Sequence, residues 1–316
     1  MNLVNNNLNK GHNCFYSTLN ILLSSCKIDL CESDLYFLCG GTNLNMNRSI
    51  SKKESAPESI WNYESYEGLL DRLSFRINIK FLSYNSDCLE QYKNKLNVIL
   101  SEGNSVMIAV DTKCLKYQPL QNNYNYVHFL NITSLDINNN ISYIKDTYIL
   151  NASGNVDTYE GEYDLKSLLC GIKKIYWIEI CDYELLLDDF IDYVKKEILE
   201  FCENGYKALY ELFYYLYKSS ASGRVRKDDY LKLIVLLENR HIVSSVYAAH
   251  FAVKFLSQNA LLSELNQLKS SWGKILVRIY ISHIDEKLER TSRIYSNSMT
   301  LIARQKDIYL RLLNNI

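Results

Sequence analysis

At 316 residues the chain is long enough for two ordinary domains, and an apolar fraction of 47% can bury a core in each. A formal net charge of −1 gives no basis for nucleic acid or an anionic membrane as the main partner. The nine cysteines, at 14, 26, 31, 39, 88, 114, 170, 181 and 202, are odd in number and irregularly spaced, and no CxxC occurs among them; this argues against a zinc knuckle or a thioredoxin-type motif.

Met1 to Asn13 is polar, without the apolar core of a signal peptide. No uncharged apolar run reaches the roughly 18 residues that span a bilayer. A cytoplasmic protein with reduced cysteines is therefore expected. Cys14 to Cys26 carries apolar residues at helical spacing (Phe15, Leu19, Leu22), and Asn13 is placed to cap that helix. A short helix from Glu32 to Leu38 stops at Gly40-Gly41. Residues 43–58, polar and containing Pro57, read as a loop. A helix over 65–75, a strand over 77–83 and a helix over 88–101 come next.

Four strand signals close this part of the chain. Ser105 to Asp111 is a buried apolar run. Tyr126 to Ser134 and Ile141 to Leu150 form a hairpin about the turn cluster Asp136 to Asn140. After a short helix at 163–170 comes a last strand from Lys174 to Ile180. From about Tyr183 helical periodicity takes over, with helices over 184–203, 206–219, 227–239, 241–257, 259–287 and 291–313 and breaks at Asn204-Gly205 and Ser219 to Gly223. The expected fold class is α+β, with domains at 1–182 and 183–316, the second α-helical.

The chemistry starts at Cys14. In Gly11-His12-Asn13-Cys14 the thiol opens a helix, where unpaired N–H groups and the helix dipole favour an anion and a cysteine is activated as a nucleophile. Such a nucleophile needs a base, and the base needs an orienting acceptor. Of the five histidines only His128 lies on a strand of the mixed part, in Tyr126-Val127-His128-Phe129-Leu130. Asp146 lies on the returning strand, at a similar distance from the turn near Asn138, and cross-strand neighbours approach to about 5 Å between Cβ atoms. The candidate catalytic residues are Cys14, His128 and Asp146, with Asn131 as the alternative orienting group. The other eight cysteines read as small buried apolar residues. His241, His250 and His283 read as helix-face residues, and Tyr210, Phe213, Tyr214 and Tyr217 as packing residues. Arg224, Arg226 and Lys227 read as a solvated basic turn.

A helix-borne Cys followed by a strand His and a strand Asp resembles the papain-like cysteine peptidases, and the short N-terminus with a His- and Asp-bearing hairpin resembles the bacteriocin leader peptidases. A closer resemblance is to the butirosin-assembly acyltransferase family, carried by Gly11-His12-Asn13-Cys14, the helix after it, Asp34-Leu35-Tyr36-Phe37-Leu38-Cys39-Gly40-Gly41, His128 and Asp146. The broader group includes a member that forms an amide bond in closthioamide assembly.

The resemblance implies a papain-like core with an antiparallel sheet and an appended helical domain. It implies transfer of an acyl group from the phosphopantetheine thioester of an acyl or peptidyl carrier protein, through Cys14, to an amine in antibiotic biosynthesis. A thioester is already activated, so no cofactor or metal is implied. Peptide or amide hydrolysis by the same residues, and a non-catalytic binding module, are the alternatives. The chain departs from the papain-like pattern in having no Gln several residues before the Cys. Asn7, Asn9, His12 or Asn13 would have to supply that oxyanion donor beside the backbone N–H of Cys14. Thr147 also follows the Asp where the family often has Pro.

Overall fold

The structure is a computed structural model and describes residues 10–42, 45–46, 61–62, 65–118, 127–150, 156–179, 183–221, 243–255, 259–285 and 288–316. The fold is α+β. The chain divides into two compact units, one of residues 1–35 and 73–184 and the other of residues 36–72 and 185–316.

In the first unit, helix α1 (Cys14–Ser25) and the start of α2 (Glu32–Cys39) are followed by the end of α3 (Tyr66–Ile77), then β3 (Lys80–Tyr84), α4 (Leu89–Ser101) and β4 (Val106–Asp111). A 3-10 turn at Thr112–Cys114 leads to β5 (Val127–Asp136), β6 (Ile141–Leu150), β7 (Val156–Asp164), α5 (Leu165–Gly171) and β8 (Ile172–Glu179). These strands form one six-stranded sheet in the order β3-β8-β4-β5-β6-β7, every neighbouring pair antiparallel.

The sheet is covered on both faces, so its central strand β4 reads as a continuous apolar run rather than an alternating one. On one face Val106, Ile108 and Val110 of β4 and Leu130 and Ile132 of β5 pack with Tyr92, Leu96 and Ile99 of α4 and Leu165 and Leu168 of α5. On the other face Phe129 meets Phe15 of α1 edge to face, with ring centroids 5.2 Å apart.

β7 was not expected from the sequence, which suggested a helix from residue 163. Its run, Val-Asp-Thr-Tyr-Glu-Gly-Glu-Tyr-Asp, is largely polar because it is an edge strand that buries only Tyr159 and Tyr163. The helix starts later, at Leu165, where the Asp164 carboxylate caps it by accepting from the N–H of Ser167.

The second unit contains β1 (Asn45–Met46) paired with β2 (Trp61–Asn62), α6 (Leu187–Glu200), α7 (Tyr206–Ala221), α8 (Val243–Phe255), α9 (Asn259–Asp285) and α10 (Leu288–Leu313). Residues 36–72 group here because Tyr36 packs on Tyr247, Phe37 packs on Phe251, and Glu197 accepts from Thr42 and pairs with Arg72 at 3.3 Å. Met46 and Asn45 form a strand inside the stretch expected to be loop.

The expected break at Asn204-Gly205 is instead a π-helical turn, Phe201–Gly205, that joins α6 to α7 without interruption. Gly205 lies against the Phe201 ring, where a Cβ would come within 3.0 Å. Phe213 stacks on Trp272 and Tyr217 on Tyr295, while Tyr214 is half exposed. The remainder of the 43–58 loop, Tyr126, Cys181, Asn7, Asn9, the basic turn at 224–227, the helix over 227–239 and His241 lie outside the described residues.

Candidate active site

The segment before α1 is fixed by three backbone interactions. The N–H of Gly11 donates to the carbonyl of Thr147 on β6 at 2.9 Å. That carbonyl is available because the β6–β7 ladder is irregular between Asp146 and Ile149, the kind of interruption that clusters near functional sites. The N–H of His12 donates to a carboxylate oxygen of Glu32 at 3.0 Å. Position 11 must be glycine for a local reason: a Cβ there would sit 2.5 Å from the Cβ of Ser17. Asn13, extended at φ −154°, then caps α1, its Oδ1 accepting from the N–H groups of Phe15 and Tyr16.

The two segments carrying Cys14 and His128 are joined at the next residues. Phe15 packs on Phe129, and the Thr18 hydroxyl donates to the Phe129 carbonyl at 3.1 Å. This places the Cys14 thiol beside the His128 imidazole, close enough to act on its electrostatics. Cys14 is 8% exposed, His128 1% and Asp146 0%, so all three side chains are shielded from bulk water.

His128 Nε2 donates to Asp146 Oδ2 at 2.8 Å. The β5–β6 register pairs Asn131 with Lys145 and Ile132 with Ile144, which makes Asp146 a diagonal neighbour of His128 rather than its direct opposite. A His–Asp pair spans that diagonal readily. With Nε2 engaged by the carboxylate, exchange of a proton with the thiol falls to Nδ1. Burial alone would lower the pKa of His128, but the adjacent Asp146 charge and hydrogen bond outweigh it and raise the pKa to about 10.

Two residues that the sequence reading passed over complete the cluster. The Tyr117 hydroxyl donates to Asp146 Oδ2 at 2.9 Å and the Gln118 Nε2 donates to the same oxygen at 3.1 Å. The N–H of Tyr148 donates to Oδ1 at 3.1 Å. Tyr117 and Gln118 belong to a non-repetitive turn, so no periodicity marks them; only the combination of a Tyr and a Gln eleven and ten residues before the histidine could have drawn attention.

Asn131, the alternative orienting group, makes no side-chain hydrogen bond among the described residues, and His128 is held by Asp146 instead. Asn13 is committed through Oδ1 to capping.

The other cysteines divide by environment. Cys39 and Cys202 are buried as expected, and burial pushes the Cys202 thiol up to about 11. Cys31, Cys88 and Cys170 are exposed, against expectation. Cys31 and Cys88 immediately precede helices, and Cys170 lies on the outward side of α5. Cys26 and Cys114 are half-buried.

Among the described residues no group of three or more His, Cys, Asp or Glu side chains converges as a metal ion needs. No described helix is long and apolar enough to cross a membrane.

No protein-family profile matches the chain. No curated protein matches it either.

Proposed function

We propose that the chain is a cysteine-dependent acyltransferase that moves an acyl group from a carrier-protein thioester, through Cys14, to an amine, forming an amide of the kind made in peptide-like antibiotic biosynthesis. The proposal reads α1 and the six-stranded sheet as a papain-like core and residues 183–316 as an appended helical domain. The observation that carries it is the buried grouping of Cys14 beside His128, with the imidazole hydrogen-bonded to the Asp146 carboxylate at 2.8 Å.

In the first step the thiol proton already resides on His128 as a thiolate–imidazolium pair, which the raised His128 pKa favours, and the Cys14 thiolate attacks the thioester carbonyl carbon. The carbon–sulfur bond to the carrier breaks and the departing pantetheine thiolate takes the proton from His128, leaving an acyl-Cys14 thioester. In the second step an amine attacks the acyl carbon and gives its proton to His128. The Cys14 carbon–sulfur bond breaks, the amide departs and the thiolate–imidazolium pair is restored.

Both steps develop charge on the carbonyl oxygen, which needs a donor placed beforehand. Of the first four N–H groups of α1, those of Phe15 and Tyr16 are taken by the Asn13 side chain and that of Ser17 by the Asn13 carbonyl. The N–H of Cys14 is the one the proposal assigns to the oxyanion. The low exposure of Cys14 supports transfer to an amine over hydrolysis, because water must be excluded from the acyl-enzyme for the amide to form.

The test is intact-protein mass spectrometry after mixing with an acyl-loaded carrier, followed by addition of an amine. An acyl adduct mapped to Cys14 and an amide product are expected, and both vanish in Cys14→Ala. Free acid in place of amide would identify a hydrolase. An unmodified Cys14 with undiminished product in Cys14→Ala would rule out the covalent route.

A further inference from the structure

The geometry points to Tyr117 and Gln118 as positioning residues that hold Asp146 as an acceptor-only carboxylate and thereby keep the transferred proton on His128. This rests on the reading of Cys14 as a nucleophile served by His128, and goes beyond it by assigning a role to a turn outside the three candidate catalytic residues.

Asp146 Oδ2 accepts from three donors, His128 Nε2 at 2.8 Å, the Tyr117 hydroxyl at 2.9 Å and Gln118 Nε2 at 3.1 Å, while Oδ1 accepts from the N–H of Tyr148 at 3.1 Å. A proton on Oδ2, the oxygen that faces His128, would meet hydrogens already pointing at it. Protonating that oxygen therefore means breaking at least one of these bonds, and a buried donor left without an acceptor is destabilising. The proton leaving Cys14 accordingly stops at His128.

The two donors are built to face the carboxylate. The Tyr117 ring is stacked on Tyr159 at 4.5 Å and 6° and meets Tyr163 edge to face at 5.6 Å. Tyr163 is itself fixed, its hydroxyl donating to the Cys114 carbonyl at 2.6 Å and accepting from the Lys116 N–H at 2.9 Å. Tyr159 stands opposite Asp146 in the β6–β7 register, so the clamp and the carboxylate share one frame. Burial, with the Asp146 charge beside it, holds the Tyr117 phenol well above its usual range, so it remains a donor.

Gln118 is 2% exposed, and its Oε1 has no hydrogen-bond partner among the described residues. Its NH2 group is aimed at Asp146, the one orientation that an acceptor-only carboxylate permits. The titratable groups around Asp146 are His128 from β5, Tyr117 from the turn, Tyr159 from β7 and, through His128, Cys14 from α1.

The experiment uses the full chain and follows alkylation of Cys14 by iodoacetamide, with peptide mapping, from about pH 5 to about pH 9. Tyr117→Phe keeps the stacked ring and deletes one donor. Gln118→Leu deletes the other, and Gln118→Glu replaces it by a second acceptor. Each variant is expected to move the acid limb of the profile to higher pH, slowing labelling at the acid end by about tenfold, far more than at the alkaline plateau. Gln118→Glu should move it furthest, because two adjacent carboxylates cannot both ionise readily.

Profiles that superimpose on wild type, or that fall evenly at all pH values, would overturn the inference while leaving Cys14 as the nucleophile. A wild-type Cys14 that labels no faster than the other cysteines would remove the nucleophile reading, and the inference with it. Should Tyr117→Phe fail to fold, the comparison of Gln118→Leu with Gln118→Glu decides the question.

Discussion

Four donors converge on the carboxylate of Asp146, and the imidazole it holds lies beside the thiol of Cys14. This concentration of polar groups in the buried interior has a consequence for stability. The pKa of His128 is raised from an ordinary 6.5 to about 10, so its imidazolium is more favourable in the folded chain than in the unfolded one. Its contribution is fully present below pH 6.5, and is lost as the pH rises through about 10. Its magnitude is on the order of a few kcal/mol. Urea denaturation of wild type and His128→Gln as a function of pH should therefore show a stability difference that narrows across this window. A difference that stays constant would mean that the imidazole is not held as a cation. Cys14 and His128 were legible in the sequence because each is set by local pattern, a helix start and a strand. Tyr117 and Gln118 were not, because a turn between elements carries no period and their role exists only where Asp146 arrives from another strand.

At the scale of elements, α1 is positioned by features of its first turn. Asn13 closes the end of the helix, and Asn13→Ala should cost about 1 kcal/mol in chemical denaturation and slow the labelling of Cys14. An unchanged labelling rate would show that the cap does not position the thiol. Gly11→Ala would drive a Cβ to 2.5 Å from that of Ser17 and strain the hydrogen bond to Thr147. Its expected cost is about 1–3 kcal/mol, read from the denaturation midpoint. The core strand β4 was visible as an apolar run, and β5 and β8 as strands by their apolar patterning. β7 was missed because an edge strand with one solvated side has little apolar signal. The π turn at Phe201–Gly205 was read as a break because Asn-Gly marks a turn locally, whereas packing carried the helix through it.

For the whole molecule, the two units are not successive stretches of chain. Residues 36–72 group with 185–316, and Tyr36, Phe37 and Arg72 find their partners at Tyr247, Phe251 and Glu197. A fragment ending at Asp182 would therefore leave Tyr36 and Phe37 without the rings that cover them. Such a fragment is expected to bind a hydrophobic dye and to aggregate, whereas the full chain does not. A monomeric, non-binding fragment by light scattering and dye fluorescence would show that 36–72 needs no cover from the later helices.

The sequence by itself determined the α+β class, most of the sheet, the capped helix that begins at Cys14 and the strands that carry His128 and Asp146. These follow from periodicity, capping chemistry and turn residues, all of which act over a few neighbouring positions. Only the tertiary structure decided that Asp146 lies diagonal to His128, that Tyr117 and Gln118 share its carboxylate, and that Tyr36, Phe37, Thr42 and Arg72 meet partners on the later helices. Those outcomes depend on strand register and on contacts between residues far apart in the chain, and local propensity does not encode which distant partner a side chain will meet.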